Sequence, residues 1–285
     1  MAPVRFLAMC ALLVTITAAA ARADFNYPDF TSSAGLDLYG NARPVGARLR
    51  LADAYQNNHG VAWHQAPQAI AGFWTQFSFQ VAAPAWPAAD GIWFIIRPDQ
   101  PTAGSDGFAA NTASVELDMF TWAPKDDPVG NHAAVFLLDE LDDPYHHSNA
   151  LGSTTAIPNL QDGQVHTVRI HYESNIMRVY IDDLATPRLT VDIDLPGTGN
   201  FPDGRAYVGL MGVSEFYFQD HDILDWSFTE IPEPAAMLLL LAGAAALRRW
   251  SPHGPRSPAP QQRTGTAGTS NAPLPSNGSV SWPFF

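Results

Sequence analysis

The chain has 285 residues, a length that suits one large β domain or two small ones. Its 28 Asp and Glu outnumber its 15 Lys and Arg and give a formal net charge of −13. Almost all of the acidic residues lie between residues 24 and 230, and such a surface repels phosphate backbones, which argues against nucleic acid as a partner.

Residues 1–23 have the pattern of a secretory signal peptide. Arg5 supplies the positive start, a largely apolar run extends from Phe6 to Ala20, and Ala21-Arg22-Ala23 places small residues at the cleavage positions. The only cysteine, Cys10, lies inside this segment. We therefore expect an exported protein whose mature form has no disulfide.

From residue 24 to residue 230, short apolar or alternating runs are broken by Gly, Pro, Asn and Asp. The region has no convincing amphipathic helix and no repeat at a fixed period. Regular short strands with turn residues between them are typical of an antiparallel β-sandwich. The predicted strands cover residues 73–81, 91–96, 133–138, 166–172, 177–181, 206–211 and 223–228.

An acidic strand at residues 114–122 carries most of the chemistry of this sequence. The alternation of a strand places three side chains on one face: Glu116, Asp118 and Phe120. Two carboxylates side by side repel each other unless a cation or a shared proton compensates. The turn that follows can bring Asp127 and His132 within reach, and three carboxylates with one imidazole suit a hard or borderline divalent ion. The alternative is an exposed strand followed by an acidic loop.

Beyond residue 230 the composition changes. Ile231-Pro232-Glu233-Pro234 precedes an apolar run over residues 235–247, which ends at Arg248-Arg249. This run is shorter than the ~20 residues that cross a bilayer, so it is either a short buried helix or a marginal anchor. Residues 251–285 are rich in Pro, Ser, Gly and Thr, and we expect this tail to be disordered.

The Pro-Glu-Pro triplet, the apolar run and the basic pair together resemble the PEP-CTERM sorting signal of Gram-negative bacteria. The resemblance assigns residues 231–250 to a sorting segment. It implies processing by an exosortase, transient membrane association through residues 235–247, and release or display at the cell surface. The 251–285 tail departs from this pattern, because such signals normally end the chain near the basic pair. It is either a lineage-specific extension or an artefact of gene prediction.

Residues 115–120, Asp127-Pro128 and His132 resemble the metal motif of the L-type (legume-like) lectins, and Gly130-Asn131-His132 is particularly similar to bacterial members. Several separated motifs in one order are more specific than any one of them. The resemblance implies a concanavalin A-like jelly roll, an antiparallel β-sandwich, over residues 24–230. It continues at Ala89-Asp90-Gly91 and at residues 162–168, 207–209 and 221–228.

This resemblance implies two metal ions and a sugar site beside them. A transition-metal ion such as Mn²⁺ would be bound by Glu116, Asp118, Asp127 and His132. A Ca²⁺ ion would be bridged by Asp118 and Asp127, with the backbone carbonyl of Phe120 as a further ligand. The calcium would order the loop that presents Asp90, whose carboxylate accepts hydrogen bonds from sugar hydroxyls in the family.

The sequence departs from the family at Trp122. Members usually have Asn at this position, which ligates calcium through its side chain and hydrogen-bonds the sugar. An indole cannot ligate calcium and offers a single donor. Either Asp126 or water substitutes, or the calcium site is weakened and the mode of sugar binding is altered. The indole of Trp122 either stacks on a pyranose face or packs against the protein.

Two loops are further candidates for sugar contacts. The family places a glycine whose backbone N–H meets the sugar between the Asp90 strand and the acidic strand. Gly104 and Gly107 both fit that role, and a plain turn is the alternative. The loop at residues 214–220 corresponds to the variable specificity loop of the family. Its candidate ligand contacts are Glu215, Phe216 and Tyr217.

Three further features have structural interpretations. The pair His146-His147 invites a second metal site, but a solvated loop is the favoured interpretation. Trp93 and Trp226 are interpreted as core residues.

The predicted function is that of a secreted, metal-dependent carbohydrate-binding protein without catalytic activity. Asp90, a backbone donor in the glycine loop and an aromatic face at Phe120 or Trp122 would hold the sugar. A glycoside hydrolase on the same kind of sandwich needs a second glutamate five positions after Glu116, where Thr121 stands. A structural or adhesive matrix protein with a degenerate sugar site is the other alternative.

Overall fold

The structure, a computed structural model, describes residues 24–81, 90–102, 111–128, 130–138, 146–198, 200–201 and 203–232. The predicted signal peptide, the two candidate glycines Gly104 and Gly107, the apolar run at 235–247 and the 251–285 tail lie outside these ranges. Within the described part of the chain, no helix is both long and apolar enough to span a bilayer.

Sixteen β-strands and three short 3-10 turns make up the regular structure of the described residues. The strands are β1 Phe25–Tyr27, β2 Leu36–Gly40, β3 Arg43–Val45, β4 Arg48–Ala52, β5 Asn58–His64, β6 Gln68–Ala69, β7 Phe73–Val81, β8 Gly91–Arg97, β9 Thr112–Asp118, β10 His132–Leu138, β11 Gly152–Thr154, β12 Val165–Glu173, β13 Ile176–Ile181, β14 Leu189–Asp192, β15 Arg205–Ser214 and β16 His221–Glu230. The 3-10 turns are Ala123–Lys125, His147–Asn149 and Pro196–Thr198. Each strand predicted from the sequence is present, but the acidic strand predicted over residues 114–122 ends at Asp118.

The strands form two antiparallel sheets, as predicted. The first sheet has the order β14-β13-β12-β7-β16-β4-β3, with β1 paired to β16. The second has the order β11-β10-β9-β8-β15-β5-β2, with β6 paired to β15. Neighbours within a sheet come from distant parts of the chain, so that β16, near the end of the domain, pairs with both β4 and β7.

The main core fills the space between the two sheets. A register shift between Ile223 and Asp225 changes the alternation of β16, because the bulge adds a residue to one strand. Trp226 and Phe228 consequently point into the same core as Ile223, and all three side chains are buried. The interpretation of Trp226 as a core residue is confirmed.

The second sheet is also buried on its other face. Trp63, Trp93 and Met211 form a second apolar cluster there, which confirms the interpretation of Trp93 as a core residue. Burial on both faces explains why β8 is apolar without interruption from Ile92 to Ile96. The acidic side chains of β9 lie on this second face, since Trp93 pairs directly with Glu116.

A hydroxyl group in the core provides a test of this packing. Thr75 Oγ1 accepts a hydrogen bond of 3.0 Å from the indole N–H of Trp226 and donates one of 2.9 Å to the carbonyl oxygen of Ser227. Thr75→Val should lower the free energy of unfolding by ~1–3 kcal/mol, because it leaves a buried donor and a backbone acceptor unpaired.

Thr112→Val is the matched control. Thr112 is equally buried, but its hydroxyl has no hydrogen-bond partner among the described residues. The free energy of unfolding, measured by urea denaturation, should be unchanged or slightly higher in this variant. Equal losses in the two variants would contradict the assigned hydrogen bonds.

Candidate functional site

The pairing of β9 with its two neighbours assembles a cluster of ionisable side chains. Asp118 is directly opposite His132 on β10, and Glu116 is directly opposite Ala134. Paired residues of an antiparallel ladder project from the same face with their Cβ atoms about 4.5–5.5 Å apart. Glu116, Asp118 and His132 therefore share one face; the alternation of the strand predicts this for the two carboxylates, and the turn predicts the approach of His132.

The three side chains converge closely and are buried. Each offers a ligand atom, and these atoms lie within 4.8 Å of one another. Glu116 is 5% exposed, Asp118 8% and His132 0%. His132 Nε2 lies 3.6 Å from Glu116 Oε2, which is too long for a hydrogen bond, and neither ring nitrogen of His132 has a hydrogen-bond partner among the described residues.

Burial makes the charged forms of these carboxyl groups costly. Desolvation raises the pKa of Glu116, and the neighbouring imidazole of His132 offsets part of this effect. Desolvation and the nearby charge of Glu116 raise the pKa of Asp118 well above its usual range. A divalent cation would remove this cost and would also bind one of the two unpaired nitrogens of His132. The residues present therefore fit a metal ion.

Asp127 joins this cluster from the following turn. Asp127 Oδ2 accepts a hydrogen bond of 2.9 Å from the backbone N–H of Trp122, across a 3-10 turn that ends at Asp126. Asp126 adopts a left-handed conformation with φ of 63°, which redirects the chain. Asp127, His132 and His147 each offer a ligand atom within 4.8 Å of the others, whereas Asp126 is exposed and belongs to neither group.

The interpretation of His146-His147 as a solvated loop is wrong for His147. Its ring meets that of His132 edge to face, with centroids 4.9 Å apart, and its Nδ1 atom is buried without a hydrogen-bond partner among the described residues. His146 instead caps the 3-10 turn through Ser148. The pairing of the three-residue strand β11 with β10 brings this segment back to His132, and no local sequence signal indicates that pairing.

Asp90 lies at the start of β8, between the acidic cluster and the loop at residues 214–220. Its backbone N–H donates to Val213 at 2.8 Å, and its carbonyl oxygen accepts from Met119 at 2.8 Å. Burial is the largest cause of the raised pKa of the Asp90 carboxyl, which is about 7, and the charge of Glu215 adds to it. A hydrogen bond from the backbone of Glu215 lowers this pKa in part. Gly91 pairs directly with Asp118, so Asp90 lies next to the end of the acidic strand, and its charge also contributes to the raised pKa of Asp118.

The loop after β9 is fixed by hydrogen bonds. Asp118 Oδ1 accepts the backbone N–H of Phe120 at 2.6 Å, and Gln161 donates to the carbonyl oxygen of Met119. Thr121 Oγ1 donates to the carbonyl oxygen of Pro128 and accepts the backbone N–H of Gly130. The position where a retaining hydrolase needs a second carboxylate is thus occupied by a hydroxyl that holds the turn together.

Four aromatic side chains, Phe120, Trp122, Phe216 and Tyr217, form an exposed patch that we call the aromatic rim. Trp122 and Phe216 stack at 6.0 Å with an interplanar angle of 12°, and Phe120 contacts Tyr217 at 5.2 Å. Trp122 is 40% exposed and Phe216 60%. Trp122 therefore packs against the rings of Phe216 and Phe120 and still keeps part of its indole exposed. Glu215, at the base of this loop, is exposed and contacts Asp90 through its backbone.

Comparison with known proteins places these features in a family context. A family profile described as the legume lectin domain matches residues 22–238. The seed lectin of Vatairea macrocarpa is 26% identical over 186 residues, which cover 59% of this chain and 71% of that protein.

Solved structures share the sandwich. The lectin of Bauhinia forficata in complex with GalNAc is 21% identical with a TM-score of 0.59, over 73% of this chain and 98% of that one. Winged bean acidic lectin complexed with methyl-α-D-galactose is 25% identical with a TM-score of 0.57, over 72% of this chain and 97% of that one. The predicted jelly-roll fold is confirmed.

The raised pKa of Asp90 predicts how the stability of the metal-free protein depends on pH. In the folded chain this carboxyl holds its proton up to about pH 7, whereas in the unfolded chain it loses the proton near pH 3.8. The stabilisation is therefore present in full below about pH 3.8, declines as the pH rises, and is lost above about pH 7. Asp90→Asn, which stays neutral, should raise the melting temperature of the metal-free protein at pH 8 by clearly more than at pH 5. An equal difference in melting temperature between the variant and the wild type at both pH values would contradict the raised pKa of Asp90.

Proposed function

The chain belongs to the legume lectin domain family, and from this premise we propose that it is a non-catalytic lectin whose bound metal ions hold its glycan site in shape. The observation that carries this proposal is the buried cluster of Glu116, Asp118 and His132 directly beside Asp90. The membership supports carbohydrate binding, and the absence of catalysis follows indirectly from relatives that are lectins.

The chemistry of the side chains supports the metal dependence. Legume lectins bind Ca²⁺ and Mn²⁺ in general. In this chain the transition-metal ion would be held by Glu116, Asp118, Asp127 and His132. Calcium would be held by Asp118, Asp127 and the carbonyl oxygen of Phe120. The bound ions would supply positive charge to carboxyl groups that burial otherwise penalises, and Trp122 leaves the calcium ion one side-chain ligand short.

Sugar recognition would combine hydrogen bonds with stacking. The carboxylate of Asp90 accepts hydrogen bonds from sugar hydroxyls, and a backbone N–H at Gly104 or Gly107 donates one. The aromatic rim and Glu215 border the same site, and an aromatic ring covers the apolar face of a pyranose. Galactose and N-acetylgalactosamine are the first ligands to test, since the Bauhinia and winged bean structures hold sugars of this type.

The proposal includes export. The pattern of residues 1–23 supports secretion, and that of residues 231–250 supports PEP-CTERM sorting with exosortase processing and transient membrane association through residues 235–247. These features favour a Gram-negative bacterial source and a secreted or cell-surface lectin domain at residues 24–230. A weak single site would then become effective through multivalent display.

Replacement of Asp118 tests the metal dependence. Ca²⁺ and Mn²⁺ at about one hundred times their Kd should raise the melting temperature by several degrees. A ligand at that excess raises the free energy of unfolding by ~2.7 kcal/mol, and each 1 kcal/mol shifts the melting temperature of a domain of this size by about 2–4 °C. Asp118→Asn keeps an acceptor for the Phe120 N–H but should remove most of this increase. Without metal the variant should be at least as stable as the wild type, because a buried charge is gone.

Asp203→Asn is the control for this experiment, because Asp203 is an exposed acid. It should retain the full increase in melting temperature on addition of metal. A wild-type protein whose melting temperature does not respond to either ion would contradict the proposed metal site.

A glycan array with and without chelator tests the function itself. We expect binding of galactose-type glycans in Ca²⁺ and Mn²⁺, loss of binding in chelator, and about 3- to 10-fold weaker binding in Trp122→Ala through lost stacking. Titration calorimetry with the best glycan measures the last effect. No glycan binding in the presence of both ions would favour a matrix protein with a degenerate site. Metal-independent hydrolysis of β-glucans that Glu116→Gln abolishes would favour a glycoside hydrolase.

A further inference from the structure

The proposed function does not use His147, although its ligand atom converges with those of Asp127 and His132. His132 belongs to two groups of converging ligand atoms, one with Glu116 and Asp118 and the other with Asp127 and His147. The buried imidazole of His132, which has no hydrogen-bond partner among the described residues, is common to both groups, so the two groups adjoin each other. These adjoining groups, here called the centre, therefore offer two imidazoles.

The ring of His147 is oriented as a ligand. Its Nε2 atom lies 3.1 Å from Ser153 Oγ, so this nitrogen is already hydrogen-bonded. Its Nδ1 atom is buried and has no hydrogen-bond partner within the described part of the chain. Metal-binding imidazoles typically use one nitrogen for the metal and donate the other N–H to a protein acceptor, which fixes the tautomer and the ring orientation.

The fold holds this ring in place from two sides. Ser153 on β11 is directly opposite Ala134, which is itself opposite Glu116, so the three residues share one face of the sheet. His147 begins a 3-10 turn, and the side chain of His146 caps that turn by accepting the backbone N–H of Ser148. The position of the second imidazole is thus set by strand pairing and by a capped turn.

We propose that His147 binds the transition-metal ion through Nδ1, beside His132, so that the centre prefers a borderline ion such as Zn²⁺, Co²⁺ or Ni²⁺ to Mn²⁺. Imidazole ligands favour these ions, whereas Mn²⁺ is better suited by carboxylates and water. The inference rests on the metal site of the proposed function but requires no sugar. The alternative is that His147 is a cationic neighbour of the carboxylates and not a ligand.

The test compares two ions in three variants of the metal-depleted full chain. Zn²⁺ and Mn²⁺ affinities are measured by titration calorimetry, and Cu²⁺ serves as a spectroscopic probe whose electron paramagnetic resonance counts coordinated nitrogens. His147→Ala should weaken Zn²⁺ binding at least ~10-fold while Mn²⁺ affinity changes much less. The nitrogen count should fall from two in the wild type to one.

Two further variants separate ligation from structural effects. His146→Asn keeps a cap for the 3-10 turn and removes the adjacent imidazole, so its Zn²⁺ affinity and its nitrogen count should equal those of the wild type. Ser153→Ala frees the ring of His147 and should weaken Zn²⁺ binding less than His147→Ala does, with two nitrogens still coordinated. Melting temperatures in chelator verify that each variant is folded.

Two results would overturn the inference. One is a wild-type spectrum with a single coordinated nitrogen, and the other is an equal loss of Zn²⁺ and Mn²⁺ affinity in His147→Ala. If Asp118→Asn abolishes the binding of both ions while His147→Ala changes neither affinity, His147 is not a ligand and the metal site of the proposed function stands. If the wild type binds no ion at all, both proposals fail.

Discussion

Glu116 and Asp118 lie two residues apart on the buried face of β9, with the imidazole of His132 directly opposite Asp118. Burial raises the pKa of both carboxyl groups, and neither nitrogen of the imidazole finds a hydrogen-bond partner in the described part of the chain. Leaving such groups charged and unpaired costs a large share of the few kcal/mol that stabilise a domain. A bound cation is therefore expected to stabilise the fold as well as to complete the site.

The same carboxylates connect the metal site to the surface. Asp118 accepts the backbone N–H of Phe120, and Asp127 accepts that of Trp122. Both candidate ligands therefore hold the backbone of a residue in the aromatic rim. An ion that fixes the positions of Asp118 and Asp127 consequently fixes the rim, even though it need not contact a bound sugar. Asp90 is part of this arrangement, since its carbonyl oxygen accepts the N–H of Met119.

The local pattern predicts an antiparallel sandwich and the shared face of Glu116 and Asp118 on β9. The alternation from Ser114 to Phe120 carries that information, because the side-chain period of a strand is two. His147 could not be predicted, since its approach depends on β11, a three-residue strand whose pairing has no local signal. The bulge in β16 also has no local signal, although the core position of Trp226 itself was predicted correctly. The stacking of Trp122 on Phe216 joins two segments that lie far apart in the sequence, so it has no local signal either.

Anomalous diffraction from crystals soaked in Mn²⁺ and Ca²⁺ would show directly whether the buried cluster binds a transition-metal ion. Data collected on either side of the manganese absorption edge identify the transition-metal ion independently of the calcium ion. The expected result is a manganese peak enclosed by Glu116, Asp118, Asp127 and His132. A cluster without a peak at full exposure to both ions, with its carboxyl groups protonated or hydrated, would contradict it.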